Sequence, residues 1–474
     1  MKVTVLGGAG IRIPMFVQGI VELSHELPVD ELVLMDVDEH RLNVIGFLVG
    51  EIVARSTSPI KVSLSTDPYR ALSGADFVIS AIRVGGLQGR VIDETVPLRY
   101  GVLGQETTGP GGFCMGLRTI PVVLKYVRMM REVAPEAWFI NFTNPSGMIT
   151  QAAISYGGTD RVIGVCDSPN ALFRRVATLL EVDMSEAFFD YFGLNHLGWL
   201  RAVYVRGRDV LKSLFARLRE SDVCGRLQEF EEARLFGVDV LESIGMIPNE
   251  YLYYYYCNHQ AVANVKAAGE TRAQFLLRTT SDLVKRLEEA RAAHDPARAL
   301  EVYNRYIDLR QQMYMKVETS ARVPGEAASR DDVANDAGET LVPREDGGYG
   351  QIALELMRSI ARNSKCVMVL NTRNAGAIAG LSQGQVVEVP CLVDGNGPRA
   401  LTVGTVPADS LGLMQVVGEY ERLTIEAAVQ GSYKTAWRAL AAHPLVPSPK
   451  LARRILDEYL ERHGETLAYI QKDL

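Results

Sequence analysis

The sequence predicts an α/β protein, with a doubly wound parallel sheet over residues 1–187 and an α+β domain over 188–474. Three observations lead there. Short β-rich runs alternate with helix-length segments through the first 170 residues, the pattern of βαβ units. The first run ends in Gly7-Gly8-Ala9-Gly10 and the second at Asp36, the spacing of a Rossmann-type turn followed by a ribose-binding acid. From about Phe188 a β-rich stretch gives way to long charged helical periods. A chain of 474 residues also exceeds one typical domain of roughly 100–200 residues.

Taken in order, Val3–Leu6, Glu31–Met35, Ile60–Leu64, Phe77–Ala81, Trp138–Asn141 and Val162–Val165 are the expected strands. Thr271–Ala292 and Pro296–Val317 are expected helices of the second domain. The stretch 319–350 is poor in large apolar residues and rich in Asp, Glu, Gly and Ala, which predicts a mobile surface loop, with a lid as one possible use.

Composition narrows the function. Hydrophobic residues at 47% and charged residues at 23%, with mean hydropathy +0.03, describe a folding globular chain. Fifty basic against 57 acidic residues give a net charge of −7, so neither nucleic acid nor an anionic membrane is an expected partner. No signal-peptide pattern precedes the first strand and no apolar run reaches the length of a membrane span. Cys114, Cys166, Cys224, Cys257, Cys366 and Cys391 show no CxxC spacing, which reads as reduced thiols in the cytoplasm.

Polar clusters follow the expected strands, where open α/β sheets place their ligands. Gly7, Gly8, Gly10 and Asp36 suit an NAD site, although Ile13 stands where the third glycine of GxGxxG belongs. Arg83-Val-Gly-Gly-Leu-Gln-Gly-Arg90 and Gly104–Gly112 suit backbone approach to a phosphate or sugar, or are plain turns. Asn144 either caps the helix after Asn141 or turns its amide into the crevice. Cys166, with Asp167 beside it, and His196 are a thiol and an imidazole able to share one divalent ion, or a buried cysteine and a hydrogen-bonded histidine. Pro248–Tyr256 holds five tyrosines within six residues, more buried hydroxyls than a core normally accommodates, and offers a candidate general base.

Together and in order, Gly7–Gly10, Arg83-Val-Gly-Gly, Gly104-Gln-Glu-Thr, Asn141-Phe-Thr-Asn-Pro, Gly164-Val-Cys-Asp, Gly193-Leu-Asn-His, Pro248-Asn-Glu-Tyr, Asn371-Thr-Arg-Asn and Tyr420-Glu-Arg-Leu make this chain resemble glycoside hydrolase family 4, in its 6-phospho-β-glucosidase-like branch. That family departs from the two-carboxylate scheme of most glycosidases. The resemblance implies a substrate and metal domain after the NAD domain, as in lactate and malate dehydrogenases. It implies that Cys166 and His196 ligate manganese or another divalent metal, and that Tyr251 removes the C2 proton. Asp167 then lies near the metal and leaving group, Arg83 belongs with the cofactor, and Asn144, Arg90 and Arg272 lie near the substrate. The implied reaction is oxidation at C3 by NAD, loss of the C2 proton, elimination of the aglycone, addition of water and return of the hydride. A homodimer or homotetramer is implied as well.

Two departures bear on the substrate. Cys166-Asp-Ser-Pro169 replaces the Cys-Asn-Val-Pro of the branch and is nearer the Cys-Asp-Met-Pro of phospho-α-glucosidases. Ala9-Gly-Ile-Arg-Ile-Pro-Met15 brings in a cation at Arg12. Arg12, Arg90 and Arg272 suit a 6-phosphorylated glycoside; an α-linked or nonphosphorylated sugar remains open. An NAD-dependent 2-hydroxyacid or sugar dehydrogenase of the lactate/malate type, and a nonenzymatic NAD-binding protein, are the competing readings.

Overall fold

The computed structural model describes residues 1–223, 230–319 and 350–472. The surface loop expected around 319–350, and its reading as a lid, therefore lie outside the described residues, as does Cys224. Among the described residues nine strands form one sheet, in the order β13-β12-β11-β6-β5-β4-β1-β2-β3. Here β1 is Lys2–Leu6, β2 Glu31–Met35, β3 Lys61–Ser65, β4 Phe77–Ser80, β5 Trp138–Asn141 and β6 Val162–Gly164. These six run parallel, and their 3-2-1-4-5-6 order is that of the doubly wound dinucleotide fold. Every residue of β4 and β5 is buried, as expected of parallel strands covered on both faces by crossover helices.

The expected strands occur with shifts of one residue at some ends. β3 starts at Lys61 rather than Ile60, because Lys61 N–H reaches the Asp30 carbonyl at 2.9 Å and the ladder begins there. The crossover helices are α1 (Ile13–Glu22), α2 (Glu39–Ala54), α3 (Pro68–Leu72), α4 (Gly86–Arg99), α5 (Gly109–Val133), α6 (Ser146–Tyr156) and α7 (Ser168–Leu180). Local chemistry starts several of them: Asp38 accepts from Arg41 N at the head of α2, and Asp67 accepts from Tyr69 N and Arg70 N at the head of α3.

The sheet continues across the expected boundary at 187/188. β11 (Cys366–Arg373) pairs antiparallel with β6 through Asn371 and Gly164, and β12 (Val386–Asp394) and β13 (Gly397–Ala400) extend it further. A second sheet is built on the hairpin of β7 (Ala187–Leu194) and β8 (Leu197–Val205), with β9 (Arg208–Asp209) and β10 (Ile247–Pro248) on β8. β7 packs against β12, which seats the hairpin over the extended part of the large sheet.

Thr271 caps the helix Arg272–Ala292 instead of opening it: its Oγ1 accepts from Gln274 N and Gln274 Oε1 accepts from Thr271 N. The next helix ends at Gln312, short of the expected Val317. Met315 takes a left-handed φ of 53°, and Lys316–Thr319 forms a separate turn of helix. No helix among the described residues is long and apolar enough to cross a membrane.

Glycine is required where β1 ends. Gly7 has φ +89°, and a Cβ there would stand 2.6 Å from the Ala81 carbonyl oxygen at the end of β4. Gly7→Ala is expected to lower unfolding free energy by about 2 kcal/mol, read from urea denaturation against wild type; an unchanged midpoint would contradict the close packing of this turn.

Candidate active site

The polar clusters gather at the carboxyl ends of the parallel strands. The amides of Gly7 and Gly8 both donate to the Met35 carbonyl, at 2.9 and 2.8 Å, so the turn after β1 is sewn to the end of β2. Asp36, the residue after β2, accepts from Ala9 N at 3.0 Å and from Asp38 N at 3.1 Å. Its carboxylate, half-buried beside the glycine turn, is where a dinucleotide fold keeps its ribose acceptor. A Cβ at Gly8 would stand 2.8 Å from Leu34 Cβ, and one at Gly10 3.0 Å from the Gly7 carbonyl. These glycines fit the close phosphate cradle that NAD requires.

Cys166 follows β6 by two residues, and His196 lies in the two-residue turn between β7 and β8. Thirty residues apart in sequence, their Sγ and Nε2 atoms stand 3.4 Å apart. The tautomer of His196 follows from its other neighbours. Gln105 Oε1 accepts from Thr107 N, Thr108 N and Thr107 Oγ1. The Thr107 hydroxyl proton is thus committed, and its oxygen accepts from His196 Nδ1 at 2.8 Å. The lone pair of the imidazole therefore sits on Nε2, facing the sulfur. Burial pushes the His196 pKa down to about 3 against the opposing charge of Glu106, so the ring is neutral at neutral pH. Burial, then the Glu388 carboxylate, push the Cys166 thiol up; a cation bound to the sulfur reverses that preference. A neutral imidazole presenting Nε2 beside a thiol fits a divalent metal, with the Thr107 contact as the usual outer support of a histidine ligand.

Tyr251 lies flat on His196, with ring centroids 3.6 Å apart and planes inclined by 2°. Tyr314 OH donates to Tyr251 OH at 3.0 Å. Burial and then the Glu250 charge raise the Tyr251 pKa, and the Tyr314 hydrogen bond works against them. Glu250 is itself raised to about 7, chiefly by burial, and accepts from Ser168 Oγ at 2.8 Å, which joins the tyrosine segment to the first turn of α7. Asp167 occupies the cap position of α7 without capping it. Burial raises its pKa, opposed by Arg12 and by a hydrogen bond from the Gly350 amide.

The arginines take different places. Arg83 forms an ion pair with Glu106, and Arg90 donates to Glu94 at 2.6 Å and to Glu106 at 2.8 Å. Burial disfavours the charge on Glu106, yet Arg83 and Arg90 hold its carboxyl well below the usual range. Arg272 donates to the carbonyls of Met313 and Arg310, at 3.1 and 2.9 Å. Asn144 does not cap α6: Pro145 holds the cap position and no side-chain capping bond forms. The neighbouring Asn141 carries the polar work of that turn, accepting from Thr143 N and donating to Thr143 O, Ser146 O and Thr150 Oγ1.

Four further residues belong to the site by position. Thr107 and Glu106 fall within the Gly104–Gly112 cluster, and their pairing with His196 and the arginines gives that cluster its role. Arg310 lies beside Arg12 and Arg272, and its pKa falls to about 10 through burial and then repulsion by Arg12. Tyr314 had no sequence signal beyond being a tyrosine near a helix end.

A doubly wound sheet with a glycine turn at one strand end and a thiol–imidazole pair at another defines the class of dinucleotide-fold enzymes with a metal centre. The chain belongs to family 4 of the glycosyl hydrolases. Residues 2–182 match the pattern described as family 4 glycosyl hydrolase, and residues 191–446 that of the family 4 glycosyl hydrolase C-terminal domain. The chain is 34% identical over 465 residues to the probable 6-phospho-β-glucosidase of Bacillus subtilis, spanning 98% of this chain and 96% of the relative. It is 30% identical over 475 residues to maltose-6'-phosphate glucosidase of Fusobacterium mortiferum, spanning 98% of each. Its fold is similar, with TM-score 0.77 and 30% identity, to the 6-phospho-β-glucosidase of Thermotoga maritima solved with manganese, NAD+ and glucose-6-phosphate, covering 98% of this chain and 99% of that one.

The neutral state of His196 has a measurable consequence. The folded ring resists protonation down to about pH 3, whereas the unfolded side chain protonates near 6.5. Unfolding therefore takes up a proton in between, and the stability present above pH 6.5 is lost as pH falls toward 3. In metal-free protein, the slope of unfolding free energy between pH 6 and 4 is expected to be steeper in wild type than in His196→Gln by about 1.4 kcal/mol per pH unit. Urea denaturation at several pH values reads it, and parallel slopes would contradict a neutral His196.

Proposed function

We propose that the protein is a 6-phospho-β-glucosidase that hydrolyses its substrate by transient oxidation and elimination, with NAD and a divalent metal such as Mn2+. The observation that carries the reading is the convergence of Cys166, His196 and Tyr251, a soft metal-binding pair with a tyrosine stacked on it. Membership of family 4 supports it, as do relatives named for phosphorylated glucosides. When bound, NAD supplies reversible hydride exchange with C3 of the sugar, and the metal supplies polarisation of oxygens that gain negative charge.

The chain's own groups divide the remaining work. Gly7, Gly8 and Gly10 leave room for the dinucleotide phosphates, and Asp36 accepts from its ribose. Cys166 Sγ and His196 Nε2 hold the metal. Tyr251 takes the C2 proton, acidic once C3 is a ketone, from its phenolate form, which the O–H of Tyr314 stabilises before the transfer, and is left as the neutral phenol. Asp167, whose burial favours the protonated form, gives a proton to the departing aglycone oxygen. Asn144 faces the sugar hydroxyls. Arg272 and Arg310, with Arg12, receive the 6-phosphate: Arg310 is buried beside two other guanidinium groups, and a dianion relieves that repulsion. Arg90 and Arg83 act through Glu106, since its carboxylate already joins them. A cytoplasmic location is part of the proposal, supported by the need to keep the Cys166 thiol reduced.

One residue favours a second reading. Asp167 gives the Cys-Asp pair of phospho-α-glucosidases, and the Fusobacterium relative acts in its name on a maltose phosphate. Hydrolysis of p-nitrophenyl β- and α-glucosides, with and without a 6-phosphate, decides between the two. Nitrophenol release from the phosphorylated β-glucoside, dependent on both NAD+ and Mn2+ and without net NADH, is expected. Release from the α-isomer alone would replace the anomer, and stoichiometric NADH from a 2-hydroxyacid would replace the reaction class.

Two variants test the assignments. Tyr251→Phe is expected to slow exchange of the substrate C2 proton with deuterated solvent by about 100-fold or more, with NAD affinity within twofold of wild type; normal exchange would remove Tyr251 as the base. Arg310→Ala is expected to raise KM for the phosphorylated glucoside about tenfold and to leave that for the nonphosphorylated one alone. An equal effect on both would detach Arg310 from the phosphate.

A further inference from the structure

Glu388 interrupts the apolar run of β12, and it is only 1% exposed. Among the described residues no lysine, arginine or histidine is hydrogen-bonded or ion-paired to it. Its Oε1 accepts from Asn195 Nδ2 and from Asn371 Nδ2, both at 3.0 Å, and its Oε2 accepts from Tyr191 OH at 3.0 Å. A carboxylate buried among neutral donors is costly to keep, so what those donors are attached to matters.

Each one leads to a different piece of the site. Asn371 is the cross-strand partner of Glu388 and also of Gly164, two residues before Cys166. The approach there is close: a Cβ on Gly164 would stand 2.8 Å from Asn371 Cβ. Asn195 is the turn residue next to His196. His196 itself holds a left-handed φ of 62°, a conformation that costs a residue with a side chain about 1–2 kcal/mol and persists only when its surroundings enforce it. Tyr191 OH in turn accepts from Asn249 Nδ2 at 3.3 Å, and Asn249 lies two residues before Tyr251 with its amide on the Gly198 carbonyl at 2.9 Å. One carboxylate thus ties together three segments that are far apart in sequence.

We propose that Glu388 is a positioning residue that fixes the His196 turn and the Tyr251 segment against the Cys166 strand, and that through them it sets the affinity for the divalent cation without touching it. The inference rests on the reading of Cys166 and His196 as the metal pair. Glu388 acts from behind the site: its hydrogen bonds go to the neighbours of the ligands, and the cation side of the imidazole stays free for Nε2. Outer contacts of this kind commonly change metal affinity about 10- to 100-fold when removed.

The test uses the full-length protein and Mn2+ itself, with free ion followed by electron paramagnetic resonance. Wild type, Glu388→Ala and Glu388→Gln are titrated, and thermal midpoints and NAD affinities are measured alongside. Glu388→Ala is expected to weaken Mn2+ binding at least tenfold, with NAD affinity within twofold. Glu388→Gln keeps an acceptor for the two asparagines but sets an amide donor against Tyr191, and is expected to fall between the two; it carries the test if the alanine variant does not fold. Wild-type Mn2+ affinity in a folded variant would overturn the inference alone. A wild-type protein that binds no Mn2+ would overturn the reading beneath it and the inference together.

Discussion

One committed proton governs the site. Gln105 Oε1 takes the hydroxyl hydrogen of Thr107 at 2.9 Å, and this leaves Thr107 Oγ1 able only to accept from the histidine opposite. The imidazole must therefore present Nε2 to Cys166. Because Gln105 also gathers the amides of Thr107 and Thr108, the same oxygen shapes the entry to α5 and fixes where Glu106 points. The histidine tautomer follows from that arrangement, and Glu106, the residue between Gln105 and Thr107, pairs with Arg83 and Arg90.

Buried charge is distributed unevenly through the fold. Around Glu106 the charges are met within the chain, with Arg83 and Arg90 on Glu106 and Arg90 also on Glu94. Beside it Arg310 is buried with cations rather than anions as its strongest charged neighbours, an imbalance that suits a group supplied by the ligand. A second gathering of ligand-type side chains, Asp93, Cys114 and His463, is buried elsewhere. There the cation is already part of the chain: Arg118 lies 2.6 Å from both Asp93 oxygens, 3.2 Å from Cys114 Sγ and 3.1 Å from His463 Nε2. Tyr459 closes that knot by donating to the Asp93 carbonyl. That cluster therefore has its positive charge supplied from within the chain.

Legibility in the sequence followed locality. The six parallel strands stood out because apolar runs between glycine and asparagine turns need only their own residues to be recognised, and Asp36 fell at the end of β2 for the same reason. Cys166 and His196 were visible as reactive types at strand ends, although their separation of 3.4 Å depends on a hairpin laid over β12. Of the two readings of Asn144 the structure removes the cap: a polar residue before a helix usually caps it, whereas here Pro145 takes that position. Arg310 sits on a helix whose pattern reveals an apolar face and nothing about which polar side chain turns inward, and Tyr314 lies in the turn after that helix, where no periodicity places it. Glu388 did leave a trace, a single carboxylate inside Val386–Pro390, but its partners lie on the β7–β8 hairpin and on β11, and no short-range pattern announces them.

The strand that closes the parallel sheet comes late in the chain. β6 ends at Gly164 and its neighbour β11 begins at Cys366, so roughly two hundred residues must leave the ribosome before that side of the sheet is paired. At about 5–20 residues per second this takes on the order of ten to forty seconds. Throughout that interval the nascent nucleotide-fold half carries an open strand edge, the kind of surface that recruits other chains. That edge is only three residues long, which limits what it can recruit, and slower translation of residues 165–365 lengthens the period for which it stays unpaired.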